Sequence, residues 1–211
     1  GAGEPDRAGY LACIGGRAGL SGLSAERVRM EMLKLMTASG AAGSVVAMAD
    51  GGLLQQIIGG VAYVGSLAAM IELERKLGLP SDAMRRLGAL TVAVAEDARR
   101  VAARLRLSNA EAKALDAMAD GWWYLASMDE AAAKRLLYRV GADAYRDRLM
   151  LAWACARDGE RGDWRQMADL PQRWSAPRFP LKAADFIARG IAEGPALGHV
   201  LGIAEDAWLA A

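Results

Sequence analysis

The 211 residues carry 26 Lys or Arg against 25 Asp or Glu, a net charge of +1, and are 54% apolar but only 6% aromatic. No apolar run approaches the ~20 residues needed to span a bilayer, and no secretory signal is visible in the polar first residues with Pro5, so a cytoplasmic location is expected. The length slightly exceeds that of a usual single domain, and a chain rich in Ala and Leu but poor in strand-forming residues is expected to be all-α, with a core of Ala, Leu, Val and Met.

Taken in chain order, the periodicity predicts a helix over about 6–18, broken by Gly19, Ser21 and Gly22. Ser24 then caps a helix running to about Thr37, with Glu26 in the first turn, where the helix dipole favours an acid. Arg27 and Glu31 stand four apart and are expected to pair on that helix. Gly40 and Gly43 precede a short helix that ends at Gly51-Gly52, and an apolar stretch from Leu53 to Ile58 ends at Gly59-Gly60. A further helix runs from Ser66 to Leu77 and stops at Gly78 and Pro80. Ser81 opens the next, with a bend expected near Ala95. Ser108 and Glu111 form a capping box for a helix expected to carry Trp122 and Trp123 on its last turns. Asp129 starts a helix to about Val140, Gly141 ends it, and another covers 142–157. Polar turns with Gly159, Gly162, Pro171 and Pro177 follow. A short helix over 180–190 and a last one from Pro195 through Trp208 complete a helical-hairpin tail.

Charge is uneven along this frame. Residues 82–106 hold six Arg against three acids, 107–133 one Lys against five acids, and 134–189 twelve Lys or Arg against seven acids. The basic segments are either solvated helix faces or electrostatic contacts for nucleic acid. On a helical wheel Arg99, Arg100, Arg104 and Arg106 fall on one side and Ala98, Val101, Ala102 and Leu105 on the other.

Motifs for autonomous chemistry are missing. His199 is the single histidine: it has no neighbouring Cys for a zinc site, and no nucleophile elbow accompanies it for a Ser-His-Asp or Cys-His engine. No phosphate-binding Gly-x-x-x-x-Gly-Lys-[Ser/Thr] loop occurs. Cys13 and Cys155, distant in sequence and each among apolar residues, are expected as buried free thiols. A phosphohydrolase-like body fails for want of His and Asp clusters.

Two segments make the sequence recognisable. Ser24-x-Glu26-Arg27-Val28-x-x-Glu31-Met32, followed by Gly52-Leu53-Leu54, resembles the neck of bacterial class II tRNA nucleotidyltransferases: the CCA-adding enzymes and the related poly(A) polymerases. Lys182-x-x-Asp185-Phe186, Gly190, Gly194-Pro195-x-Leu197-Gly198-x-x-Leu201 and Trp208 resemble the tail of the same family. Ala183 stands where that pattern usually has Gly, and Phe186 where it usually has Leu. The order and spacing fit across essentially the whole chain.

The resemblance implies an enzyme of head, neck, body and tail, whose head holds a Gly-Gly loop, paired aspartates for magnesium, and a nucleotide-selecting Glu-Asp-x-x-Arg motif before the neck. No Asp-x-Asp occurs here, and Glu96-Asp97-Ala98-Arg99-Arg100 matches the last motif only as a string. The chain, which starts at Gly1, is therefore expected to be the part of a longer protein that lacks the head. On its own it is expected to be inactive and without a metal or other cofactor.

The implied division is a neck over 1–60, a body over 61–157 and a tail over 158–211. The implied function is to hold the acceptor stem and elbow of tRNA while a head adds 3′ nucleotides. The alternative is a helical interaction protein derived from this family that no longer binds RNA. Arg99, Arg100, Arg104 and Arg106 are the candidate RNA contacts in the body. In the tail the candidates are Lys182 and Arg189, on one helix face, together with the backbone N–H groups of Ala196, Leu197 and Gly198 at a helix start. Ser24, Glu26, Arg27, Glu31 and Asp185 are expected to shape the fold, Asp185 by orienting the tail turn. A neck without its head is expected to leave an apolar face open to self-association.

Overall fold

The computed structural model describes residues 6–156 and 162–210, in which every regular element is helical. Helix α1 (Arg7–Gly15) ends at Gly16, earlier than expected, and a 3-10 segment (Arg17–Gly22) follows. Ser24 Oγ accepts from Arg27 N–H at 3.3 Å and opens α2 (Ala25–Thr37). Then come α3 (Ala41–Asp50), α4 (Leu53–Ile58) and α5 (Val64–Leu77).

Helix α6 (Ala83–Thr91) is capped by Asp82, not by Ser81: the Asp82 carboxylate accepts from Arg85 N–H at 2.8 Å. The bend expected near Ala95 is a full break, with Val92 and Val94 extended before α7 (Ala95–Leu105). Asp97 makes this junction by accepting from the N–H groups of Ala93 and Val94 at 2.8 and 3.1 Å. The Glu-Asp-x-x-Arg string is thereby a helix-start device, completed by an Asp97–Arg100 ion pair.

The Ser108–Glu111 capping box opens α8 (Asn109–Ala119), with Ser108 N–H donating to Glu111 at 2.7 Å. Trp122 and Trp123 do not extend this helix. Gly121 turns into the left-handed region (φ 65°), and both tryptophans lie on a separate 3-10 segment, Trp122–Ser127. Asp129 then caps α9 (Glu130–Cys155), which is interrupted at Gly141 (φ 81°, ψ 168°). A side chain would oppose that φ, which accounts for glycine at the joint. The chain closes with α10 (Trp164–Ala168), α11 (Leu170–Arg173), α12 (Ala183–Ile187) and α13 (Pro195–Ala210).

Two apolar clusters hold these helices. The larger draws Met32, Met36, Val45 and Leu54 from the N-terminal helices into one core with Leu67, Met70, Leu87, Leu90, Val101, Leu115 and Met118. The smaller gathers Leu125, Leu137, Tyr145 and Leu149 against Trp164, Met167 and Leu170. Trp122 and Trp153 touch both clusters. The C-terminal helix rests on the first half of α9, where Trp208 packs 5.9 Å from the Tyr138 ring and 5.5 Å from Phe179. Tyr138–Glu205 and Arg139–Asp206 contacts fasten it further.

The thiol expectation is half corrected. Cys13 is exposed, because α1 lies outermost and buries no residue, anchored by the Tyr10 hydroxyl donating to Ala47 C=O at 2.8 Å. Cys155 is partly buried; burial raises its thiol above the ordinary value, although its Sγ lies 3.6 Å from Ser66 Oγ.

Candidate nucleic-acid interface

Helix α7 lies between the N-terminal helices and α8, and its arginines divide accordingly. Ala98, Val101 and Leu105 are buried, as the amphipathic pattern requires. Arg99 is the freest, with a side chain 70% exposed and only a loose approach to Asp116 at 3.8 Å. Arg100 is bound to Asp97 and lies across Gly60 so closely that a Cβ there would overlap the guanidinium.

Arg104 caps the C-terminus of α4 by donating to Gln56 C=O at 2.5 Å and to Ile57 C=O at 3.4 Å, while Gly59 N–H donates to Gln55 C=O at 2.9 Å. Arg106 is not part of the helical stripe. It caps α7 in the left-handed region (φ 48°) and reaches Glu26 at 2.6 Å. Three of the four candidate arginines are therefore engaged within the fold, Arg100 inside α7, Arg104 with α4 and Arg106 with α2.

Glu26 thus serves Arg106 as well as the helix start, and that contact lowers its carboxyl below the usual range. The expected Arg27–Glu31 pair does not form. Both side chains instead flank an apolar groove lined by Leu20, Leu23, Val28, Leu35, Met48 and Ile57. Arg29 turns inward to Glu111 at 2.9 Å, joining α2 to α8. Arg17, Arg27 and Lys34 remain exposed without an ion pair among the described residues.

In the tail, Asp185 accepts from Lys182 N–H at 2.7 Å and starts α12. That helix is too short to carry Lys182 and Arg189 on one face: Lys182 is its N-cap, and Arg189 lies beyond its end. The start of α13 is exposed at Ala196 and Gly198, but Leu197 is buried and its N–H already donates to Gly194 C=O at 3.1 Å. Leu197 is therefore removed from the set of free donors. His199 is exposed on α13.

Sequence reasoning missed a buried ionic cluster. Glu74 accepts from Arg86 Nε at 2.7 Å, Arg85 Nε at 3.2 Å and Asp82 N–H at 3.1 Å. Arg86 also donates to Met36 C=O at 2.7 Å and Ser81 Oγ at 2.8 Å, and Arg85 to Pro80 C=O at 2.9 Å and Asp147 at 3.3 Å. The cluster joins α2, α5, α6 and α9. Burial raises the Asp147 carboxyl above its ordinary value despite Arg85. The Arg85-Arg86 pair resembled surface charge because its acidic partner lies eleven or twelve residues upstream, on a different helix.

Among the described residues no group of three or more His, Cys, Asp or Glu is placed to hold a metal ion, and no helix is long and apolar enough to cross a membrane. The fold and this surface define an all-helical region whose N-terminal layer carries exposed, unpaired cations beside an apolar groove. Residues 17–63, which span the 3-10 segment and α2 to α4, match a family described as "Probable RNA and SrmB- binding site of polymerase A". The chain is also 38% identical over 104 residues to the "Uncharacterized 28 kDa protein in petA 5'region" of Rhodospirillum rubrum. That match takes in 46% of this chain and 40% of the relative.

Proposed function

We propose that this chain is the RNA-holding part of a nucleotidyltransferase of the poly(A) polymerase and CCA-adding type, and that its RNA is tRNA. The observation that carries the reading is the match of residues 17–63 to an RNA-binding region of polymerase A. Its support is physical. Arg17, Arg27 and Lys34 on that region, Arg99 in the body, and Lys182 and Arg189 in the tail are exposed cations. Scattered cations of this kind read phosphate and helix shape, not base sequence. The apolar groove between Leu20 and Ile57 is then the neck face toward the catalytic head, and the head supplies magnesium and the chemistry in the cytoplasm.

The test is a tRNA shift assay across a salt series. Each phosphate neutralised contributes about −0.9 to the slope of log affinity against log salt for duplex nucleic acid, so several contacts give a steep line. Binding that is absent or flat with salt sinks the reading and leaves the helical interaction protein. Incubation with 3′-truncated tRNA, ATP, CTP and magnesium is expected to give no extension by this chain alone, because paired metal-binding aspartates are missing.

A further inference from the structure

Glu26 and Arg29 of α2 are spent within the chain, on Arg106 and Glu111. Arg27 and Glu31 are not. Both are exposed, and among the described residues neither side chain has an ion pair or a hydrogen bond. They stand four apart on one helix, but with the cation nearer the N-terminus, the weaker order for a pair within a helix. Both flank the apolar groove that Leu23 and Leu35 line. Leu23 is 48% exposed and Met30, between the two charges in sequence, 61%. Exposed apolar side chains scattered singly need no explanation, but a groove with exposed apolar residues at its edge and unpaired charges on its rim has the make-up of an interface.

The charge pattern selects the partner. A polyanion that gains from Arg27 is repelled by Glu31, and a polycation the reverse. The pair is complementary to itself. A two-fold axis crossing α2 at Arg29 sets a second α2 antiparallel to the first and brings Arg27 of each copy to Glu31 of the other, two ion pairs from one contact. In the same register Leu23 of each copy comes beside Leu35 of the other, and the two Met30 side chains meet next to the axis. Lys34 falls toward the end of the contact, where its long side chain reaches water. Association of this kind covers apolar side chains that a single chain leaves exposed and pairs two charges that it leaves alone.

We propose that two copies of this chain associate through α2, antiparallel about a two-fold axis, with Arg27 of each paired to Glu31 of the other along the joined grooves. The inference goes beyond RNA holding and does not rest on it. A second copy and a catalytic head would take this groove in turn, and in the paired form Arg27 is no longer open to RNA.

The test is sedimentation equilibrium of the full chain over a concentration series, with charge reversal on α2. The wild type is expected to dimerise. Arg27→Glu and Glu31→Arg each set like charges opposite one another twice, and each is expected to weaken the dimer by about tenfold or more. Their melting temperatures are expected to stay close to that of the wild type, because both positions are exposed. The double variant Arg27→Glu, Glu31→Arg keeps the pairing with its signs exchanged and is expected to dimerise again. An equal mixture of the two single variants is expected to form mixed dimers, since each then supplies the charge that the other lacks. A monomeric wild type overturns the proposal, as do single variants that dimerise as the wild type does, or a double variant and a mixture that both stay monomeric. A monomeric wild type that binds tRNA leaves the RNA-holding reading intact, and a dimer that fails to bind tRNA removes that reading and leaves this one standing.

Discussion

Replacing Glu74 by alanine is expected to be among the most destabilising single changes in the protein. Its carboxylate is buried and accepts three hydrogen bonds, from Arg85, Arg86 and the backbone of Asp82. With Asp147, it balances two buried guanidinium groups charge for charge. Alanine removes one of the two negative charges and leaves two guanidinium N–H groups and a backbone N–H without that acceptor. Breaking a buried pair by deleting one partner costs about 3–5 kcal/mol. In a chain of this size each kcal/mol moves the melting temperature by about 2–4 °C, so a fall of about 6–20 °C is expected. The comparison variant replaces the whole group with apolar residues, Glu74→Leu with Arg85→Met and Arg86→Leu, and is expected to recover much of the loss because no charge is left buried alone. Urea unfolding with the slope held in common gives both numbers. A Glu74→Ala cost below about 1 kcal/mol would refute the reasoning, since it would mean that the arginines find other acceptors without strain.

Four further outcomes follow from the same geometry. Arg99→Glu is expected to weaken tRNA binding with little change in melting temperature, whereas Arg104→Glu is expected to cost about 1 kcal/mol of stability as well, because it uncaps α4; thermal melts beside shift assays separate the two. Asp97→Ala is expected to cost about 0.5–2 kcal/mol near neutral pH, as loss of an N-terminal cap does. Burial raises the Asp97 carboxyl, but the N–H groups of Ala93 and Val94 and the Arg100 guanidinium outweigh it and hold it below its ordinary value. Its stabilisation is therefore present above the unfolded value and lost as pH falls through the folded one, so the wild-type advantage must shrink in acid; an advantage that grows in acid contradicts the assignment. Gly88→Val is expected to cost about 1–3 kcal/mol by overpacking, because a Cβ on Gly88 would already lie 2.7 Å from Met118 Sδ, and Met118→Ala in the same chain should return part of that in a double-mutant cycle.

Where a local rule governs, the sequence was a sound guide. Ser24, Ser108 with Glu111, and Asp129 start helices because each satisfies backbone N–H groups within its own first turn, a bond that needs no distant partner, and Pro195 starts one because it has no N–H to leave unpaired and its φ is already helical. Gly141 breaks α9 for an equally local reason. The misreadings came where two local rules competed. Gly16 ended α1 before Gly19 could, and Asp82 displaced Ser81 as the cap because its carboxylate meets the Arg85 N–H, leaving Ser81 Oγ to Arg86.

Side-chain destination was beyond a one-dimensional reading. The same periodicity that placed Arg99, Arg100, Arg104 and Arg106 opposite the buried face of α7 could not say that Arg104 meets α4 carbonyls and Arg106 meets Glu26, contacts separated by some 48 and 80 residues. Nor could it separate Arg85 and Arg86, which are buried on Glu74, from arginines free for RNA.

The sequence by itself determined the all-helical class, most helix boundaries and the resemblance carried by residues 24–32 and 182–208, because caps, breakers and apolar spacing act over one or two turns. Tertiary structure alone decided which charges are spent within the fold, that the Trp123–Tyr124 pair stands on the surface, and that an apolar groove opens beside α2. An arginine's role depends on whether a carboxylate or carbonyl from another helix comes within about 3 Å of it, and chain packing, not spacing along the chain, sets that distance.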